Sequence, residues 1–283
     1  HGLWLEAISL TNKLDRTAPA GTLSVLNNAY QFLFNLKKKL EGMNLSMAGS
    51  RIEPVGMLFR GAPGVGKSNM LEHITYAYLS AVVPDDLREL FEQDRKSFVY
   101  NHTPENEFWD GYNPEQSIVT IYDDAGQKRD TCNDANSEWI QWIRMMSGFE
   151  YTLNMAALEK KGNVRFKSRA IIANTNMQDF NIQSVTQPEA VRRRADRVFD
   201  VCPKVEYCTD DSKNASLWDR RLDKSKLPIG VDGISSLTPD CCEFHVIDLL
   251  KGATGERTGQ ILNIEQVIKE LIDLHYLKEA RYN

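Results

Sequence analysis

The chain has 283 residues, of which 42% are hydrophobic, and a formal net charge of −5. This much apolar material can form a buried core, so the composition excludes a disordered or fibrous protein and fits one large domain, or one domain with an appendage. The negative charge excludes a protein covered by positive field, so any contact with nucleic acid must come from a local basic cluster.

Cysteine usage and hydropathy bear on the compartment. The five cysteines form an odd set without the spacing of a secreted scaffold: Cys132, Cys202, Cys208, Cys241 and Cys242. No run approaches the roughly 18 apolar residues that span a bilayer, and no signal peptide is visible. We expect a reducing, cytoplasmic setting, and the start at His1 is typical of a processed piece.

The first predicted element is an amphipathic helix over residues 23 to 41, within an N-terminal helical region over residues 1–49. From residue 54, short apolar runs alternate with helical patterns, as in a parallel sheet covered on both faces. These runs are Val55–Phe59, Val99–Tyr100, Ile118–Tyr122, Ala170–Ala173 and Val198–Val201. The pattern predicts a three-layer α/β core over residues 50–203.

Beyond Pro203 the periodicity is lost, which predicts a small irregular subdomain over residues 204–262. A helical stripe then returns over residues 263–283, with apolar side chains at Ile264, Val267, Ile268, Leu271, Leu274 and Leu277. Such a stripe must be buried, either on a neighbouring subunit, which would make this an oligomerisation helix, or on its own domain.

Residues 61–68 read Gly-Ala-Pro-Gly-Val-Gly-Lys-Ser and lie between a predicted strand and a predicted helix. This is the context of a phosphate-binding loop, in which glycines let backbone N–H groups face the phosphates. Lys67 is predicted to neutralise the β/γ oxygens, and Ser68 to ligate magnesium. The predicted nucleotide-binding residues are Gly61, Pro63, Gly64, Val65, Gly66, Lys67, Ser68 and Asn69.

Polar residues end two further buried strands. Asp123 is predicted to hold magnesium with Ser68, and Asp124 to polarise the attacking water. Asn176 can hydrogen-bond both the γ-phosphate and that water, although asparagines after strands are also ordinary turn formers. These three residues complete the predicted catalytic centre with Lys67.

The order and spacing of these elements resemble motifs A, B and C of superfamily 3 helicases. The flanking stretches Arg51–Val55, Phe108–Tyr112 and Met155–Gly162 resemble the 2C-type proteins of picorna-like viruses, over roughly residues 50 to 202. The resemblance implies an AAA+-like P-loop core with a parallel five-stranded sheet in the order 5-1-4-3-2. It also implies a ring-shaped homo-oligomer, with a hexamer as the expected form.

The family's arginine fingers are matched by the stretch Ala190–Arg194. The resemblance implies that Arg193 and Arg194 reach a neighbour's γ-phosphate, where a fixed cation offsets transition-state charge; a solvated basic helix end is the alternative. A basic hairpin in the channel is also implied, with Lys160 and Lys161 facing RNA phosphates. Trp109 and Tyr112 are candidates for stacking on bases there, with burial in the core as the alternative.

Some family members carry zinc after the arginine fingers. Here no C-x₂-C pair exists, and adjacent Cys241 and Cys242 would approach one metal awkwardly, so we expect ATP and Mg²⁺ but no zinc.

The hypothesis is a viral replication ATPase that couples hydrolysis at subunit interfaces to movement along, or remodelling of, single-stranded RNA. The alternative is an ATP-dependent RNA chaperone, or a membrane-associated replication-complex or encapsidation factor, without processive unwinding. Expected partners are further copies of the chain, single-stranded RNA and viral replication proteins, with a possible membrane contact through a segment absent from this sequence. The expected location is the host cytoplasm, at membrane-associated replication sites.

Overall fold

The computed structural model describes residues 25, 28–29, 31–33, 35, 49–103, 106–128, 130–131, 137–158, 161–180, 182–228 and 239–282. The predicted helix over residues 23–41 lies mostly outside these ranges, and Cys132 and Lys160 lie outside them altogether. The chain divides into two compact units, residues 1–50 with 84–94, and residues 51–83 with 95–283.

The larger unit contains every strand of the described residues and four of the helices. The strands are β1 (Val55–Arg60), β2 (Val99–His102), β3 (Val119–Tyr122), β4 (Ala170–Thr175), β5 (Arg197–Pro203), β6 (Cys242–Asp248) and β7 (Glu256–Leu262). The helices are α1 (Lys67–Val82), α3 (Glu138–Met145), α4 (Glu189–Arg192) and α5 (Ile264–Tyr282), while α2 (Arg88–Gln93) belongs to the smaller unit.

The strands form one seven-stranded sheet in the order β2-β3-β4-β1-β5-β6-β7. The first five are parallel, which confirms the predicted core and its strand order. The predicted count of five strands is corrected to seven, because β6 and β7 continue the sheet in antiparallel fashion within a stretch that was expected to be irregular. All six residues of β1 and of β4 are buried, as expected for central strands covered on both faces.

Helix α5 packs its apolar stripe on its own unit, against α1, β1 and β6. Ile264, Val267 and Leu271 are buried, and the Tyr78 hydroxyl lies 2.8 Å from His275 Nδ1. The helix's own domain therefore covers Ile264, Val267 and Leu271 of the stripe, and contact with a neighbouring subunit stays a prediction. The proposed oligomerisation role of α5 can involve only its exposed residues, such as Leu277, which is 45% exposed.

His102, at the end of β2, is a titratable group inside an aromatic cluster. Its ring centroid lies 4.1 Å from that of Trp109 and 4.3 Å from that of Tyr122. The side chain is buried, and its Nε2 has no hydrogen-bond partner among the described residues. This burial lowers the pKa of His102 to about 3, so the folded protein keeps the ring neutral.

We expect His102 to lower the stability of the fold in acid. Between its folded pKa of about 3 and the ordinary histidine value of about 6.5, the unfolded chain binds more protons, so stability rises with pH across this window. From about pH 7.5 to about pH 5 the loss amounts to about 2 kcal/mol. In urea titrations, His102→Phe should reduce the acid-induced fall in unfolding free energy by that amount; an equal fall in both proteins would contradict this.

Candidate nucleotide site

The loop between β1 and α1 has the backbone shape of an anion cradle. Gly64 and Gly66 adopt φ values of 81° and 85°, a left-handed conformation that side chains with a Cβ rarely tolerate. Gly66 is also the N-cap of α1, which has neither a side-chain cap nor an acidic residue in its first turn. The first N–H groups of α1 and its positive dipole end are therefore available to a bound phosphate.

The loop rests directly on the neighbouring strands. A Cβ added to Gly61 would lie 2.6 Å from the carbonyl oxygen of Val201 in β5, so only glycine fits this close approach. On the same side of β1, the Cys242 thiol of β6 lies 3.7 Å from the carbonyl oxygen of Val65. These two contacts hold the loop against β5 and β6.

Lys67 directs its ammonium group at the centre of the site. Its Nζ donates to the carbonyl oxygens of Gly61 at 2.9 Å and Ala62 at 3.0 Å, and to Asn176 Oδ1 at 2.7 Å. Burial lowers the pKa of Lys67, and the carboxylates of Asp124 and Asp123 oppose that shift. Three oxygen acceptors therefore hold a cation where the β/γ-phosphates are expected.

Ser68 and Asp123, the two predicted metal ligands, meet across the site. The Ser68 hydroxyl donates to Asp123 Oδ1 at 3.1 Å. A hydroxyl and a carboxylate are hard oxygen ligands of the kind that Mg²⁺ prefers, so this pair fits a divalent metal. The pair would hold Mg²⁺ beside the phosphates.

Asp124 follows in a conformation that is unusual for its residue type. Its φ of 55° is the one positive value among the described non-glycine residues, and asparagine and aspartate are among the few residues that adopt it. The amide of Asn176 connects Asp124 to Lys67, because its Nδ2 donates to Asp124 Oδ1 at 3.3 Å. The structure thus brings together Lys67, Ser68, Asp123, Asp124 and Asn176.

Arg193 and Arg194 lie at the opposite edge of the sheet. They immediately precede β5, whose first residue, Arg197, pairs with Met57 near the start of β1, whereas the phosphate loop follows the end of β1. Arg193 is exposed, and Arg194 donates to the carbonyl oxygen of Ala190 at 2.8 Å. Neither arginine therefore extends the site of its own subunit.

The predicted basic hairpin is present between α3 and β4. Thr152 and Arg165 form an antiparallel bridge, and Leu158 and Lys161 are exposed near the tip. Arg165 pairs with Glu150, Lys167 with Glu115 and Arg169 with Glu279. Lys161 thus remains the exposed candidate for phosphate contact within the described hairpin.

Trp109 and Tyr112 do not line a channel, and their burial contradicts the predicted stacking on bases. They are 2% and 3% exposed, and Tyr112 stacks on Phe166 with ring centroids 5.7 Å apart. The Tyr112 hydroxyl accepts from the backbone N–H groups of Lys167 at 2.7 Å and Ser168 at 3.0 Å. Both rings anchor the base of the hairpin in the core, which was the alternative.

The cysteines that were considered as zinc ligands do not assemble with each other. Instead, Cys202 lies with Glu243 and His245 in a group whose ligand atoms are within 4.8 Å of one another. Arg220 already supplies a cation there, since its guanidinium nitrogen lies 2.7 Å from Glu243 Oε1. Burial raises the pKa of the Cys202 thiol, which disfavours the thiolate that zinc requires.

Two contributors to the site were missed by sequence reasoning. Asn174 is 1% exposed and its amide contacts Asp123 at 2.6 Å. Glu138 accepts from the Gly126 N–H with both carboxylate oxygens at 3.0 Å, which supports the loop after Asp124. An amide inside an otherwise apolar strand was the available signal for Asn174; Glu138 had none.

A phosphate loop after β1, a paired acidic strand end on β3 and an amide-bearing strand between them define a P-loop nucleoside triphosphatase fold. Residues 57–177 match the family model described as RNA helicase.

Viral polyproteins contain similar stretches. The replicase polyprotein of acute bee paralysis virus (strain Rothamsted) is 30% identical over 238 residues, 82% of this chain and 12% of that polyprotein. The replicase polyprotein of Drosophila C virus (strain EB) is 35% identical over 184 residues, which are 63% of this chain and 10% of that polyprotein. The genome polyprotein of a human cosavirus A isolate is 32% identical over 225 residues, which are 80% of this chain and 9% of that polyprotein.

These matches confirm the resemblance seen in the sequence and support a 2C-type superfamily 3 helicase of picorna-like viruses. The chain spans only about a tenth of the length of these relatives. Among the described residues, no helix is both long enough and apolar enough to cross a bilayer.

Proposed function

We propose that this chain hydrolyses ATP with Mg²⁺ and uses the energy to move along or remodel single-stranded RNA. The observation that carries the proposal is the contact network in which Lys67, Asn176 and Asp124 form one chain of hydrogen bonds. This network sets a cation, an amide and a carboxylate side by side next to the phosphate loop. Phosphoryl transfer needs these groups for charge stabilisation and for orientation of the attacking water.

Each residue then has a defined task. Lys67 neutralises the β/γ-phosphate oxygens, and Ser68 and Asp123 would hold Mg²⁺, which would offset phosphate charge. Asp124 accepts a hydrogen bond from the attacking water and orients it towards the γ-phosphorus. Asn176 contacts both Lys67 and Asp124. A bound γ-phosphate that hydrogen-bonds to its amide would therefore change the contacts of both residues.

The position of the arginines supports hydrolysis at a boundary between subunits. Arg193 and Arg194 sit near the start of β1, and the loop at its end lies roughly 15 Å further along the strand, at about 3.3 Å per residue. We propose that Arg193 and Arg194 complete the site of the next subunit in a hexameric ring, where they offset charge in the transition state.

We propose that the protein moves along single-stranded RNA and binds it through the exposed tip of the hairpin. The alternative is an RNA chaperone or a replication-complex or encapsidation factor without processive unwinding, acting with other viral replication proteins. The exposed Lys161 is compatible with both, and ATP-dependent duplex unwinding from one loading polarity distinguishes them. In either case we propose action in the host cytoplasm at membrane-associated replication sites.

The RNA contact is tested with a Lys160→Ala and Lys161→Ala double variant. We expect unchanged basal ATP hydrolysis, weaker binding to two unrelated single-stranded RNAs, and a slope of log K against log salt that is shallower by roughly 0.7 per lost contact. The matched control is Lys269→Ala, which removes a lysine of α5 that is 79% exposed. Wild-type affinity with an unchanged slope in the double variant would remove these lysines from the RNA site.

A further inference from the structure

Asn174 is a buried amide in the middle of an apolar sheet. It is the fifth residue of β4, which lies between β3 and β1, and it is 1% exposed. Burying an amide without hydrogen bonds costs several kcal/mol, about 2–7 depending on the reference. The position therefore demands specific partners, and a valine or isoleucine would suit the strand better if only packing mattered.

Every partner of this amide belongs to the nucleotide site. Its Nδ2 donates to Asp123 Oδ1 at 2.6 Å and lies 3.4 Å from Ser68 Oγ. Its Oδ1 accepts from the backbone N–H of Asp124 at 2.6 Å. A flipped amide would set oxygen against the carboxylate and NH₂ against an N–H donor, so the neighbours fix this orientation.

We propose that Asn174 is a positioning residue of the nucleotide site, whose amide keeps Asp123 and Ser68 together as a preformed pair of magnesium ligands and fixes the backbone of Asp124. The inference rests on the proposed ATP hydrolysis and deepens it. Asp123 would otherwise be free to choose among rotamers before the metal arrives. Asp124 would have less to stabilise its φ of 55°, a conformation that costs of order 1–3 kcal/mol outside glycine.

This role differs from that of Asn176, which contacts Lys67 and Asp124 on the phosphate side. Asn174 has no contact with Lys67 among the described hydrogen bonds, and its contacts are with the metal-binding side chains. Loss of Asn174 should therefore act first on magnesium, whereas loss of Asn176 should act first on turnover. Partners of metal ligands typically change metal affinity by about 10- to 100-fold when they are removed.

The test is Asn174→Leu, which keeps bulk but removes both polar ends, with Asn174→Ser as a second variant that keeps a small polar group in the strand. Phosphate release is measured at saturating ATP over a range of Mg²⁺ concentrations, together with the urea midpoint of each protein. We expect the half-saturating Mg²⁺ concentration to rise about tenfold, and excess Mg²⁺ to restore most of the rate. Binding of a fluorescent ATP analogue without Mg²⁺ should be unchanged.

The matched control is Thr175→Val, one residue further along β4. Thr175 is also fully buried, and its hydroxyl donates to the carbonyl oxygen of Ala125 at 2.5 Å, but among the described hydrogen bonds it has none to Ser68 or Asp123. We expect Thr175→Val to lower the urea midpoint without changing the half-saturating Mg²⁺ concentration.

The outcomes separate the two proposals. If the Asn174 variants show the wild-type dependence on Mg²⁺ while wild-type protein hydrolyses ATP, the positioning role is wrong and the proposed function stands. If they lower the urea midpoint as Thr175→Val does, without a shift in Mg²⁺ dependence, Asn174 is only structural. If wild-type protein shows no Mg²⁺-dependent hydrolysis at all, the proposed function itself fails, and the positioning role with it.

Discussion

Replacing Lys67 with alanine should abolish ATP hydrolysis and weaken nucleotide binding. The ammonium group contacts the β/γ-phosphates in both the ground state and the transition state, so its loss affects affinity and turnover together. We expect the rate to fall by at least about 10²-fold, the typical cost of removing one preorganised donor from a developing charge. Phosphate release and the affinity for a fluorescent ATP analogue measure the two effects.

Two checks make this result specific. Lys67 also donates to the carbonyl oxygens of Gly61 and Ala62, so the melting temperature of the variant must be compared with that of wild type to detect collapse of the loop. Lys269→Ala, which removes an exposed lysine outside the site, should leave hydrolysis unchanged. Near-normal turnover by a folded Lys67→Ala protein would show that the phosphate-loop assignment is wrong.

Replacing Asp124 with asparagine should stop turnover but spare nucleotide binding. Asparagine has the same shape and is one of the few residues that tolerate the φ of 55° found here, so the backbone need not move. It can still accept from Asn176 Nδ2, but it cannot act as a base towards water. We expect a loss of about 10²- to 10⁴-fold in rate, the range of general acid–base catalysis.

The comparison that isolates this effect is with Asp110→Asn. Asp110 is an exposed carboxylate that accepts from the backbone N–H of Ala156, away from the phosphate loop. Its replacement also removes one negative charge but should leave hydrolysis intact. If Asp124→Asn lost ATP affinity to the same extent as turnover, Asp124 would be a binding residue and another group would have to orient the water.

The sequence predicted those parts of the site that depend on short-range patterns. The phosphate loop needs glycines at fixed spacing between a strand and a helix, and Asp123 and Asp124 directly follow an apolar run, so local order was enough to place them. The parallel strand order came from the resemblance. The phosphate loop and the two aspartates then meet at one edge of the sheet, because the carboxyl ends of parallel strands lie together.

Long-range packing decided the features that the sequence did not reveal. Strand β7 is almost wholly exposed along its first six residues, so it lacks the apolar alternation that predicts a strand. From the sequence, Trp109 and Tyr112 allowed two interpretations, because an aromatic pair can stack on bases or fill a core. Their packing on Phe166 in the folded chain places both in the core. Asn174 was not among the predicted site residues, because its partners lie 51 and 106 residues away in the chain.

The most direct test of the account is the ATPase rate of a 1:1 mixture of Lys67→Ala and Arg193→Ala subunits. Each variant alone should be nearly inactive, because every site lacks either its lysine or the neighbour's arginine. In a randomly mixed ring about a quarter of the boundaries combine an intact Lys67 with an intact Arg193, so about a quarter of the wild-type rate should return. A mixture that stays at the mean of the two inactive proteins would contradict hydrolysis at shared sites.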